Sequence, residues 1–180
     1  MRVGRHNTHI AVTTYATYPE LQIGYQTRLD TNSFNTLLGI VTKPHGSLNL
    51  IDALTQARLG VLPTGRPFVP KAVVFFTNGV DKVIPGSNKR KIRLIRGEAA
   101  KLHRKAVTYV VRLEDRPYPS HEIMSQIATK GIPILELVKN DRVLIRDLVM
   151  RYCGKLNHVF LYEQFYKNMS IKFAQNFRTS

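Results

Sequence analysis

Between Lys82 and Lys105 the sequence carries nine Lys and Arg against one acidic residue, Glu98. The densest part, Asn88-Lys89-Arg90-Lys91-Ile92-Arg93, packs four cations into six positions. Cations at this density attract oxyanions, and the guanidinium fork matches them bidentately. Lys89, Arg90, Lys91 and Arg93 are therefore candidate anion-binding residues. The plainer reading of the segment is a solvated loop. A sulfated glycan and a nucleic acid would both bind such a cluster with steep salt dependence, and the sequence does not separate the two. The stretch has no interleaved aromatics for base stacking, and no RNA-module motif or zinc-finger spacing accompanies it. Nucleic acid is the less favoured partner.

Other chemistry finds little support. The six histidines, His6, His9, His45, His103, His121 and His158, form no His-x-x-x-His or His-Glu-x-x-His pair, so no zinc site is implied. Gly60–Gly65 lacks the Gly-Lys-Ser/Thr of a phosphate loop. No nucleophile and base stand at a telling spacing, and no cofactor is implied. The single cysteine, Cys153, lies in the apolar pattern Leu148, Val149, Tyr152, Leu156 and reads as a buried thiol. Asn168-Met169-Ser170 is a glycosylation sequon, of consequence only if the chain is secreted.

The bulk numbers are those of a globular protein. The 180 residues suit one domain with a core, and 43% are hydrophobic. No apolar run approaches the roughly 20 residues of a membrane span. Met1–Asn7 lacks the apolar core of a signal peptide. The net charge of +15, from 27 Lys and Arg against 12 Asp and Glu, favours polyanionic partners.

The elements that would position these residues alternate along the chain. His9–Ala16 and Glu20–Tyr25 alternate as strands, close enough for an antiparallel hairpin with Leu21, Ile23 and Tyr25 on one face. Asp30 or Thr31 caps a helix bearing Phe34, Leu37, Leu38 and Val41. Asn49 or Ser47 caps a second helix with Ile51, Leu54, Ala57 and Val61 on one face. Pro63–Pro67 is a loop. Lys71–Gly79 (Lys-Ala-Val-Val-Phe-Phe-Thr-Asn-Gly) reads as a central strand buried on both faces. Residues 80–96 read as a long connection with a turn at Pro85-Gly86-Ser87-Asn88, before a short helix over Glu98–Lys105. Ala106–Leu113 is another buried strand. Ser120 caps a helix that turns Ile123, Met124 and Ile127 inward. Ile132–Val138, with Pro133 near its start, suits an edge strand. A helix from about Asn140 to Leu156 follows, and His158–Phe165 is either strand or apolar helix. The fold class is α/β, a doubly wound, mostly parallel sheet with helices on both faces. Ligands of such sheets gather at the strands' carboxyl ends, here Thr77, Asn78 and Gly79.

The order of landmarks resembles the von Willebrand factor type A (VWA) domain. They are the strand His-Ile-Ala-Val-Thr-Thr-Tyr-Ala, a Gly-Ser loop entering Asp52-Ala53-Leu54, and a strand ending Phe76-Thr77-Asn78-Gly79. Glu122-Ile123 and Ile127-Ala128 follow before a last strand and helix. The resemblance covers Val3 to Leu156, which implies a domain over 1–156 and a tail over 157–180. Members are usually adhesion or matrix proteins that bind other proteins, often through a divalent metal.

The resemblance also implies what this chain lacks. The family's first strand, its Asp-x-Ser-x-Ser turn and its first helix have no counterpart. In the family that strand lies mid-sheet, and its loss would leave the strands at Ile10 and Val73 with unpaired edges. A fragment, a second chain, or the 158–165 tail filling the gap would each account for it. The family's metal-binding threonine falls on Leu48, beside Ser47, and its aspartate on Asn78. Both carboxylates are gone, and a hard cation wants them. The implied function is a non-enzymatic, metal-independent module binding a protein or extracellular-matrix ligand. Contact would run through Ser47, Leu48, Asn49, Asn78, Gly79 and the 114–119 loop. Polyanion binding through 82–105, to a sulfated glycan before nucleic acid, is the alternative. The family implies an extracellular or matrix location, with the cytoplasm as alternative.

Overall fold

The computed structural model of the chain describes residues 8–25, 30–41, 45–77, 82–112 and 120–136. Asn78, Gly79, the 114–119 loop, the expected helix from 140 to 156 with Cys153, the 157–180 tail and Asn168 lie outside the described residues.

Two strands open the fold, β1 (Val12–Tyr15) and β2 (Pro19–Ile23), paired antiparallel with Tyr15 opposite Pro19 and Val12 opposite Ile23. The register shifts between Val12 and Thr13, so Gln22 has no opposite number and the strand twists there. The twist separates residues expected to share a face: Ile23 is buried, whereas Leu21 is 42% exposed. Next comes α1 (Thr31–Gly39), capped by Asp30, whose Oδ1 accepts the Ser33 N–H at 2.8 Å. Phe34 is the buried anchor of this helix.

The helix α2 (Leu50–Thr55) starts at the cap Asn49 and buries Leu50, Ala53 and Leu54. It does not run on as one α-helix to Val61. The turn widens to a π-helix over Gln56–Val61 and tightens to a 3₁₀ turn over Leu62–Thr64. Gly60 gives the helix little support, and Pro63 has no N–H to donate to the carbonyl four residues back.

Three parallel strands form the second sheet, in the order β3 (Ala72–Thr77), β4 (Val107–Arg112), β5 (Leu135–Glu136). The crossovers are α3 (Asn88–His103) and α4 (Ser120–Ile127). Here two expectations are corrected. β3 is not the strand buried on both faces: Ala72, Val73, Val74 and Phe76 are half-buried, and only Phe75 and Thr77 are buried. That role belongs to β4, buried from Thr108 to Val111, because it is laddered on both sides. The 80–96 stretch is likewise no extended connection. Ser87 Oγ accepts the Arg90 N–H at 3.4 Å and starts a 16-residue helix, with Ile92, Ile95, Ala99 and Leu102 turned inward at helical spacing.

Phe75 and Val110 stand opposite each other and face a helical layer of Leu50, Leu54, Ile92, Ile95, Leu102, Met124 and Ile127. Tyr109 and Val111, on the other face of β4, are buried as well. α3 and α4 are also tied by the His103 imidazole Nε2, 2.8 Å from the Ile127 carbonyl. Among the described residues no ladder joins the β1–β2 hairpin to the three-stranded sheet. Tyr15 bridges them instead. Its ring meets Phe75 edge-on at 6.4 Å, and its hydroxyl donates to the Phe76 carbonyl at 3.4 Å.

Candidate functional site

The residues just after β1 meet the loop that enters α2, and Lys82 joins it from the other side. Gly46 in that loop has φ +105°, and a Cβ there would collide with the Thr17 hydroxyl, so the position requires glycine. The close approach lets Thr17 Oγ1 accept the Ser47 N–H at 3.1 Å. Two residues on, the Asn49 N–H donates to the Ala16 carbonyl at 3.0 Å. The Leu48 carbonyl accepts the Lys82 N–H at 3.0 Å, binding the far side of the loop to the chain beyond β3. Hydrogen bonds thus fix this loop on two sides, to the end of β1 and to Lys82.

Asn49 is the hub. Its Oδ1 accepts the Asp52 N–H at 3.1 Å as the helix cap. Its Nδ2 donates to Asp52 Oδ2 at 2.7 Å and reaches the Thr17 carbonyl at 3.5 Å. The residue is buried, and both ends of its amide are used within the protein. Of the sequence-predicted contact residues, Ser47 is exposed, Leu48 half-buried and Asn49 buried. Thr17, which sets the position of Ser47, was invisible in the sequence because nothing local links it to a residue 30 positions away.

The cationic residues form a separate surface on α3. Lys89, Arg90, Arg93, Arg96, Lys101 and Arg104 are exposed, whereas Lys91 is half-buried at the edge of the packed face. The helical register places Arg96, Lys101 and Arg104 on the same exposed side of the helix as Lys89, Arg90 and Arg93. The one acid of the helix, Glu98, points the other way. It takes the Arg58 guanidinium at 2.5 Å and the Lys101 ammonium at 2.9 Å. Burial alone would raise the Glu98 pKa. The hydrogen bonds from Lys101 and Arg58, with their charges, outweigh it and hold the carboxyl below its usual range. Arg96 Nε donates to Gln126 Oε1 on α4 at 2.7 Å.

A parallel sheet crossed by packed helices, with a Gly-Ser loop pinned at the strand ends, has the fold of a VWA domain. The comparisons with solved structures give the same answer. Three structures of proximal thread matrix protein 1 from the mussel byssus are similar to this chain, with TM-scores of 0.60, 0.61 and 0.62. Sequence identities are 23%, 18% and 21%, over 75%, 97% and 83% of this chain. The chain spans about a third of the length of those proteins, 32%, 37% and 36% respectively. No protein-family model matches the sequence, and no curated protein does.

One of the mussel structures is described as having a zinc-occupied MIDAS motif. The residues described at the corresponding end of this chain do not fit a cation. Leu48 offers a hydrocarbon side chain, and the Asp52 carboxylate is engaged by the Asn49 amide. Among the described residues no three His, Cys, Asp or Glu come together as a metal-binding group. Hard cations take several oxygens, with carboxylates to balance their charge, and the described loop supplies one exposed hydroxyl, Ser47.

Proposed function

We propose that the chain is a non-enzymatic, matrix- or adhesion-type module that holds a protein ligand at the strand carboxyl ends without a metal of its own. The observation that carries the proposal is the loop at 46–49. It is fixed by Thr17, Ala16 and the backbone of Lys82, and it presents Ser47 to solvent in place of a carboxylate cage. A fixed loop meets a partner with little ordering cost, which is what a contact surface needs. Asn78 and Gly79, next in sequence after β3, and the 114–119 loop complete the proposed surface. Asn49 serves it as the internal anchor of the loop. The likeness to a thread matrix protein supports an extracellular setting and a protein or matrix partner. No helix among the described residues is long and apolar enough to cross a membrane.

The test is retention of solubilised extracellular-matrix proteins on the immobilised full chain. It compares the wild type with Ser47→Arg, each with EDTA and with magnesium. The proposal expects retention that is equal in EDTA and magnesium and lost with Ser47→Arg. Retention abolished by EDTA, or unchanged by the substitution, overturns it.

A further inference from the structure

The solvent-facing arc of α3 has a composition that its own stability does not favour. At about 100° per residue, Lys89, Arg90, Arg93, Arg96, Lys101 and Arg104 all fall within about 80° of the outward direction. No acidic residue lies on that arc; Glu98, at its inner edge, faces Arg58 and reaches only Lys101. Lys89 with Arg93, Arg90 with Arg93, Arg93 with Arg96, and Lys101 with Arg104 stand three or four residues apart, where like charges destabilise a helix. The first turn holds Lys89, Arg90 and Lys91 and no acid, against the positive end of the helix dipole. An ordinary solvated helix relieves such repulsion with interspersed Glu; here Glu98 relieves it at Lys101 alone, and Lys89, Arg90, Arg93, Arg96 and Arg104 have no acid on the helix beside them.

Gly97 sits in the middle of the arc. Glycine weakens a helix interior, and packing does not ask for it here: an added Cβ would meet nothing within 4 Å. With exposed Ala100 it leaves a shallow stretch flanked by cations, open to the close approach of a polymer backbone. Arg96 is held in place by Gln126 on α4. From Arg90 to Arg104 the row runs about 21 Å along the helix.

We propose that this face of α3 binds a linear sulfated polysaccharide, with Arg90, Arg93, Arg96 and Arg104 clasping sulfates and the strip at Gly97–Ala100 receiving the sugar backbone. The surface is distinct from the strand-end loop, and the proposal does not depend on that loop's role. Charge complementarity selects a polyanion. The arc has no aromatic side chain for stacking, which disfavours single-stranded nucleic acid, and the duplex arm of the experiment below decides between a glycan and double-stranded DNA.

The experiment measures binding of the full chain to a fluorescent heparin oligosaccharide across a sodium chloride series. Fully desulfated heparin and a DNA duplex of equal charge serve as parallel arms. With Lys101 paired to Glu98, the five remaining cations of the arc give a slope of log K against log salt near −3.5, taking about 0.7 per charge for a flexible polyanion. Arg90→Ala with Arg93→Ala should flatten the slope by about 1.4 and weaken binding about tenfold at 0.15 M salt. Lys82→Ala with Lys130→Ala removes two exposed cations elsewhere and should change affinity less than twofold. Gly97→Leu keeps every charge and should still weaken heparin binding severalfold, with circular dichroism showing the helix intact. Equal losses from the two double variants, no loss from the α3 pair or from Gly97→Leu, or equal binding of desulfated heparin would each overturn the proposal. Tighter binding of DNA than of heparin would do so too, assigning the face to nucleic acid instead.

Discussion

Replacing Asn49 by Ala removes three bonds at one stroke, and their sum can be worked out. The cap bond to the Asp52 N–H, 3.1 Å long, contributes about 1 kcal/mol in typical helices. The 2.7 Å bond from Nδ2 to the Asp52 carboxylate is charge-assisted, but Asp52 is exposed and water can replace it, so about 1 kcal/mol is its share. The 3.5 Å approach to the Thr17 carbonyl adds little. The expected loss is about 2 kcal/mol, or a fall in Tm of about 4–8 °C for a chain of this size. Urea denaturation followed by circular dichroism should show a lower midpoint with an unchanged slope. Asn49→Ser keeps an oxygen for the cap and loses the amide donors, so it should cost about half as much. Asn49→Asp keeps the cap oxygen but sets two carboxylates together, and should fall between the two. A loss below about 0.5 kcal/mol for Asn49→Ala would refute the claim that this amide anchors the loop.

Two further outcomes follow from the same geometry. Gly46→Ala should destabilise by about 2 kcal/mol or more, since φ +105° strains any L side chain and its Cβ meets Thr17; Thr17→Ser should not rescue it, because the clash is with the hydroxyl both residues share. Glu98→Gln should cost about 3 kcal/mol in urea at neutral pH by leaving the largely buried Arg58 without its counter-charge. Because the folded-state pKa of Glu98 is lowered, its contribution is present above the ordinary carboxylate pKa and is lost as pH falls through the lowered value. The wild type should therefore lose more stability than Glu98→Gln as pH drops below about 4.5, as unfolding midpoints measured across that range would show.

The fold class was legible because its signals are local. The hairpin alternates, Asp30 and Asn49 are good caps, and Ile123, Met124 and Ile127 repeat at helical spacing. α3 was hidden because its cations dominate the stretch, although Ile92, Ile95, Ala99 and Leu102 carry the period beneath them. Among the described residues β4 has a neighbour on each side and β3 on one, and hydropathy does not record which strand lies between two others. The loop at the strand ends was located by the Gly-Ser motif, but the part each residue plays in it was not. Asn49 turns inward and Ser47 outward because of Thr17, a contact made only after β1 and α2 come together.

The central claim is that the strand-end loop offers a contact surface without a cation cage. Calorimetric titration of the full chain with magnesium and with manganese tests it most directly. The account predicts no saturable heat with either ion up to millimolar concentration. Micromolar binding of either would contradict it.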